Sequence, residues 1–496
     1  GGVTLGADTT ITTGAGAGNI AFGAGIAGAF DLGLTAGTGA VTVATTTNIT
    51  DLTLTSATSN TFTGNVTVND LITTANSGTI TLNGAANTFV AAVDFLNTAT
   101  VLGNGAADVS TFNGGVASTG NGTYNVQGTV RSSADALHFG TGVMTLAGDT
   151  SIDATNNGGS AGGGNINFGS LTGAFDLAVN AGTGGAIAVN TTTNITDLTL
   201  TRATGTTFTG NVTVNDLITT ANSGTITLNG AANTFVAAVD FLNTGLVTLG
   251  DAGTDSSTFA GGVAFGGNAA SALQGAFVTT NTNANFGTGG VTLGADTTIT
   301  TGAGAGDIAF GAGITDGAGT FNLGLTAGAG AVTVATTTAI NNLTLTSATS
   351  NTFTGNVTVN DLITTANSGT ITLNGAGNTF AVAVSFLDTD AVTLGTSAFN
   401  GGVTFTAATP IVLQGAITTS GPVDFLAGGV TLTANSSVAT TIGNPVGGAI
   451  AFGAGITDGA GTFNLALDAG TGGAVTVATA TAINDLTLTQ AASNTF

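Results

Sequence analysis

The 496-residue chain has no cysteine, tryptophan, lysine or glutamate, one histidine, one tyrosine and three prolines. Without cysteine it has neither disulfides nor thiolate metal sites, so packing and backbone hydrogen bonds must hold it together. Arg131 and Arg202 are its only basic side chains besides the histidine, against 25 aspartates, and the net charge is −23. Neutralising a phosphate backbone takes several Lys or Arg, which excludes nucleic acid as a partner and disfavours anionic lipid. No apolar run approaches the roughly 18 residues of a spanning helix. A single Tyr and no Trp cannot build the aromatic girdles of an outer-membrane barrel, so no membrane insertion is expected. Helix signals are missing too: no apolar stripe at i, i+3, i+4, i+7 accompanies a cap-and-charge pattern.

What the chain does have is 82 glycines, abundant Thr, Ala, Asn and Val, 27 phenylalanines and a mean hydropathy of +0.46. This is too apolar for a disordered linker. The glycines do not fall at every third position, which excludes a collagen-like triple helix. Segments such as VTLGA, TTITT, FDLGLTA and AVTVATT alternate Thr or Ala with Val, Ile, Leu or Phe between Gly and Asn turns. That period of two is the mark of a strand with one buried face.

Repetition outranks these local signals. The segment Thr61 to Thr98 returns unchanged at Thr207 to Thr244 and with few changes at Thr352 to Thr389. Phe62, Phe208, Phe353 and Phe496 mark successive copies, at an interval of roughly 145 residues. The copies run over 1–141, 142–288, 289–428 and, in part, 429–496. Their divergent segments share a Phe-Gly mark: TFNGGVA at Thr111, TFAGGVAF at Thr258 and AFNGGVTF at Ala398. Tyr124, Arg131 and His138 fall in the first divergent segment, and Pro410, Pro422 and Pro445 in the last quarter. Proline suits an edge or a turn, so the last quarter should be the most irregular.

Each strand buries only one apolar row, and no strand makes a core alone. Stacking successive turns of one backbone pairs every peptide group with neighbours about 4.8 Å away and joins the rows into one interior. The sequence therefore predicts an all-β fold: one continuous right-handed parallel β-helix (β-solenoid) over 1–496, built from tandem repeats of about 145 residues. Coils of roughly 20 to 25 residues would make a rod about 100 Å long. Handedness follows the preference of parallel crossovers. Phe62, Phe89 and Phe95, with their equivalents, are the expected interior aromatic stacks. The chain begins at Gly1, and GGVTLGADTTITTGAGAG at Gly1 to Gly18 reappears at Gly289 to Gly306, which suggests a window of a longer protein.

The phrases VTLGADTTITT, IAFGAGI, FNLGLTAGAGAVTV and NNLTLTSAT resemble the β-strand repeats of large bacterial surface proteins, the filamentous-haemagglutinin-like and autotransporter-type adhesins. That resemblance implies a parallel β-helix displayed outside the cell, with roles in adhesion, aggregation or matrix building. The family's secretion domain and outer-membrane anchor match nothing here.

No residue names a reaction. His138 has no counterpart in the other copies and reads as a surface or corner residue, Arg131 resembles the basic residue of β-helix polysaccharide lyases but has only Asp135 nearby, and Arg202 stands where Ser56 and Ser347 stand, a neutral surface exchange. Asp388 and Asp390 alternate in LDTDAV and could share one outward face, while Asp316 and Asp458 sit in Asp-Gly turns. No catalytic, cofactor or metal residue is assigned, and no cofactor is expected beyond calcium bridging of carboxylates between rods. Thr53-Leu54-Thr55, Thr61-Phe62-Thr63 and Thr79-Ile80-Thr81 resemble ice-binding arrays but are unevenly spaced. The expectation is a non-enzymatic extracellular structural protein that self-associates into a filament, sheath or surface layer. An adhesin holding a glycan or surface is the alternative, and an ice-binding solenoid is a distant third.

Overall fold

In the computed structural model, residues 1–317, 319–406, 408–425 and 428–496 are described. They form short β-strands joined by turns, with no helix among the described residues. The chain divides into two compact units, Gly1–Thr248 and Leu249–Phe496, each a parallel β-solenoid. In the first unit Ser59 pairs with Thr79 and Thr79 in turn with Ala99, all in parallel. The step lengthens where a longer turn intervenes, as from Leu137 to Ile166. The second unit repeats the pattern: Ser350 pairs with Thr370, and Ile371 with Val392. The backbone thus repeats every coil of about 21 residues, and this coil, not the sequence interval of about 145, is its structural unit. One isolated bridge, Ser133 to Thr155, is antiparallel.

The alternation predicted from sequence becomes an inside and an outside. Along Ser271–Thr279 every second residue, starting from Ser271, is buried. Stacked rows of Val, Ile and Leu form the interior, as in Leu32, Leu52 and Leu71, each about 1% exposed or less. Burying such a side chain is worth roughly 1.5–3 kcal/mol, repeated at each rung of the ladder. Aromatic stacks are threaded between these rows. Phe89 lies on Phe112 with centroids 4.7 Å apart, and Phe95 meets Phe112 and Tyr124 edge-on. In the second unit Phe386, Phe405, Phe425 and Phe452 form one continuous stack. Phe62 is fully buried as expected, but its ladder neighbours are Val43 and Leu82, so that rung is aliphatic on both sides.

Polar groups close the corners. In the TTANSG turn, Ser77 Oγ donates to Leu54 O and accepts from the Thr74 N–H at 2.8 Å. Ser223 and Ser368 repeat both bonds in the other copies. Gly78 follows with φ 64°, and a Cβ there would lie 2.3 Å from the carbonyl oxygens of Ala57 and Thr58, so only glycine fits. Inside the coil, Asn87, Asn233 and Asn378 each accept the N–H of a Val one coil back (Val66, Val212, Val357), all at 3.0 Å. These buried amides fix the register at the bend between strands. Pro410 and Pro422 immediately precede the short strands Ile411–Leu413 and Val423–Asp424, where their carbonyls accept from the previous coil, and only Pro445 lies in a turn.

Candidate functional site

The sequence singled out residues that the fold scatters. Arg131 is half-buried in a ladder between Thr111 and Asp153, and its Nε donates to Thr111 Oγ1 at 3.0 Å. His138 lies in the two-residue strand Leu137–His138, between Ala117 and Asn167. Tyr124 points inward, its hydroxyl bonded to Ser118 Oγ, and burial pushes its pKa up. Arg202 pairs with Asn180 at the same irregular rung where Ser56 and Ser347 pair with Thr35 and Thr326. Its exchange for serine is a surface change at a common position.

The two Asp-Gly turns are self-contained. Asp316 accepts the N–H groups of Gly319 and Phe321. Asp458 accepts those of Ala460, Gly461, Thr462 and Phe463. Burial acts to raise the Asp458 pKa, but these four donors outweigh it and the value is lowered. The carboxylates are consumed by their own loops. Asp388 and Asp390 do not share an outward face: they lie in the corner between Val384–Phe386 and Val392–Leu394, with Asp388 wholly buried and Asp390 exposed. The pattern of two misled because the segment is not a strand.

The feature that sequence reading missed is a column of carboxylates. Asp8, Asp31, Asp51 and Asp70 occupy one outer position on four successive coils, with Asp51 opposite Asp70 in the ladder. A second column in the same unit runs Asp149, Asp176, Asp197 and Asp216. In the second unit the same position reads Asp296, Asn322, Asn342 and Asp361. Each column begins alike: the Oδ1 atoms of Asp8, Asp149 and Asp296 accept the N–H of the residue one coil on, at 3.1, 3.3 and 2.9 Å. This side chain caps the donor that opens the next strand after a long turn. The signal in the sequence was an Asp or Asn immediately before Thr-Thr or Thr-Ser, before Leu-x-Leu or Leu-x-Val, or before Leu-Ile, legible only once the coil register is known.

Burial pushes up the carboxyls of Asp70, Asp216 and Asp361, and the facing Asp51 and Asp197 push Asp70 and Asp216 further. Beside the columns lie shallow grooves of about 300 and 480 Å³. The first is lined by Asp149, Asp176, Asp197 and Thr199, the second by Asp296, Asn322, Thr344 and Thr346. Stacked like charges concentrate counter-cations along the face. Yet no group of three or more His, Cys, Asp or Glu among the described residues converges enough to hold a metal ion.

The threonine pairs do not form one array. Thr53 lies between Gly33 and Ile72 in its ladder, and Thr61 between Thr42 and Thr81. The rung after Thr79-Ile80-Thr81 presents Ala99 and Val101. Among the described residues no helix is long and apolar enough to cross a membrane. Comparison with protein-family models, with curated proteins and with solved structures gives no match.

Proposed function

We propose that this chain is an extracellular structural β-solenoid that self-associates, laterally and end to end, into a filament, sheath or surface layer. In this reading the coils are right-handed and the interval of about 145 residues, about seven coils, is the assembly period. The supporting observation is a recurring outer surface. Ile72, Ile218 and Ile363 are 39, 37 and 37% exposed, and Leu96, Leu242 and Leu387 are 39, 44 and 44% exposed. The same side chains exposed in each copy suit contact between identical partners, because one kind of contact can recur. The phenylalanines are mostly interior; Phe175 and Phe496 are the exposed ones among the described residues. A binding module built on aromatic contacts would show the reverse.

Electron microscopy of the purified chain, with sedimentation over a range of concentrations, tests this. Fibres or laterally joined particles are expected, and they should dissociate in the triple variant Ile72→Asp, Ile218→Asp, Ile363→Asp. Monomeric particles at every concentration would overturn it. The alternative, an adhesin holding a glycan or surface, draws on the grooves that recur beside the Asp/Asn columns. A glycan array with the monomeric triple variant separates the two readings, because only the adhesin would still bind.

A further inference from the structure

One interior corner carries asparagine in two of the three copies and aspartate in the third. At this corner Asn97 Nδ2 donates to the carbonyl of Ala99 at 2.5 Å and to Thr100 Oγ1 at 3.1 Å. Asn243 Nδ2 donates to the carbonyls of Gly224 and Gly245 at 2.9 and 2.8 Å. In both copies Asn Oδ1 is buried without a partner. The corner therefore offers acceptors and asks for a donor. In the third copy the position is Asp388, fully buried, with neither carboxylate oxygen hydrogen-bonded. Its own N–H and the Thr364 hydroxyl lower its pKa without meeting hydrogen-bond geometry, and that hydroxyl donates to Ser385 O at 3.4 Å. Thr364 Oγ1 also accepts the Leu387 N–H at 2.8 Å.

An ionised carboxylate has no proton to give, so where Asn97 and Asn243 donate to main-chain carbonyls it would sit buried with nothing to donate. A neutral carboxyl has one O–H, which can take the place of the asparagine amide. We propose that Asp388 is a proton-gated latch: protonated, it locks the corner between three successive coils of the second unit, and on ionisation it leaves the interior and frees that corner. The bonds that join these coils lie beside it. The Ile371 N–H donates to Ala391 O at 3.0 Å and the Val392 N–H to Pro410 O at 2.9 Å. The Thr409 hydroxyl donates to Asp388 O at 2.5 Å.

The preceding coil presents Thr364, Thr365, Asn367 and Ser368, and the following coil Thr406 and Thr409, none of which titrates. The one charge acting on Asp388 is the exposed Asp390. Burial, the largest influence, and then Asp390 raise the Asp388 pKa to about 6. A carboxyl raised on folding stabilises the corner fully below its unfolded value near 3.9, and the contribution is lost as pH rises through the folded value.

Hydrogen exchange on the intact chain between pH 4 and pH 8, corrected for intrinsic rates, tests this with an internal control. Ile226 makes the bond to Leu246 O that Ile371 makes to Ala391 O, but beside Asn243. Protection at Ile371 and Val392 should fall by roughly tenfold to a hundredfold as pH rises, while Ile226 stays flat. Asp388→Asn should abolish the fall, and Asn243→Asp should transplant it to Ile226. Equal pH profiles at Ile371 and Ile226, or an unchanged fall in Asp388→Asn, would overturn the latch.

Discussion

Asp216 faces Asp197 across one rung of the first unit, whereas Asp361 faces Asn342 at the same rung of the second. Behind both pairs the interior is the same: Leu198 on Leu217, and Leu343 on Leu362. Burial raises the carboxyl of Asp216 and of Asp361 alike, and the facing charge acts only on Asp216. The comparison separates two things a coil position does. The inner residue sets the ladder and is the same in both units. The outer residue sets the charge of a face, and it changes from Asp to Asn without altering register.

The strongest way to break this comparison is to reverse it, with a polar residue placed inside. Leu217→Asn and Leu362→Asn should each cost about 3–5 kcal/mol, the transfer and cavity loss plus an amide with no partner. The loss should be local, because each coil touches only its neighbours. Urea titration with limited proteolysis reads it, with new cleavage near the altered coil. An equal cost for Asp197→Asn would erase the distinction between inner and outer positions.

A smaller effect comes from the bend beside these rungs. Asn48, Asn194, Ala339 and Ala482 take the same left-handed conformation, φ 56, 58, 58 and 55°. At the first three the ladder shifts register, as between Thr192 and Ile195. Asparagine tolerates that region and alanine does so at a cost of order 1 kcal/mol. Ala339→Asn should therefore stabilise the second unit by about 0.5–1 kcal/mol, and Asn194→Ala should destabilise the first by a similar amount. Thermal unfolding measures both, and shifts of the same sign for the two variants would reject the backbone account.

How much of this was legible in the sequence follows the same division. The inner rows were legible, because Leu-Thr-Leu and Val-Thr-Val alternate whatever the coil length, and so were the all-β class and the parallel stacking. The columns were not. Asp31 and Asp51, or Asp176 and Asp197, become neighbours only through the coil-to-coil pairing of Leu32 with Leu52 and of Leu177 with Leu198. The expected coil of roughly 20 to 25 residues matches the observed one of about 21, but a coil length alone does not say which residues meet from one coil to the next. Asp388 was misplaced for a related reason. In LDTDAV the alternation continues through a corner where the chain is no longer extended, so counting by twos put a buried carboxyl outside. Its likeness to Asn97 and Asn243 was in the aligned copies, but the cost of the exchange shows only when the burial of the corner is in view.

The smallest expected effect sharpens the comparison most. Asp51→Asn and Asp197→Asn give the first unit the neutral rung that Asn342 gives the second. Asp70 and Asp216 are raised by burial first and by the facing carboxylate second, so each folded carboxyl binds its proton more tightly than an unfolded one. Their stabilising contribution is complete below the ordinary carboxylate range and is lost as pH rises through the raised values. At neutral pH the double variant should therefore be more stable than the native chain by a few tenths of a kcal/mol, the scale of exposed charge pairs. The gain should shrink at acid pH, where the carboxyls are protonated, and in molar salt, where the screening length falls to about 3 Å. Asn342→Asp should do the opposite in the second unit. A gain that survives salt would mean that amide hydrogen bonding, rather than relief of repulsion, distinguishes Asn342 from Asp197.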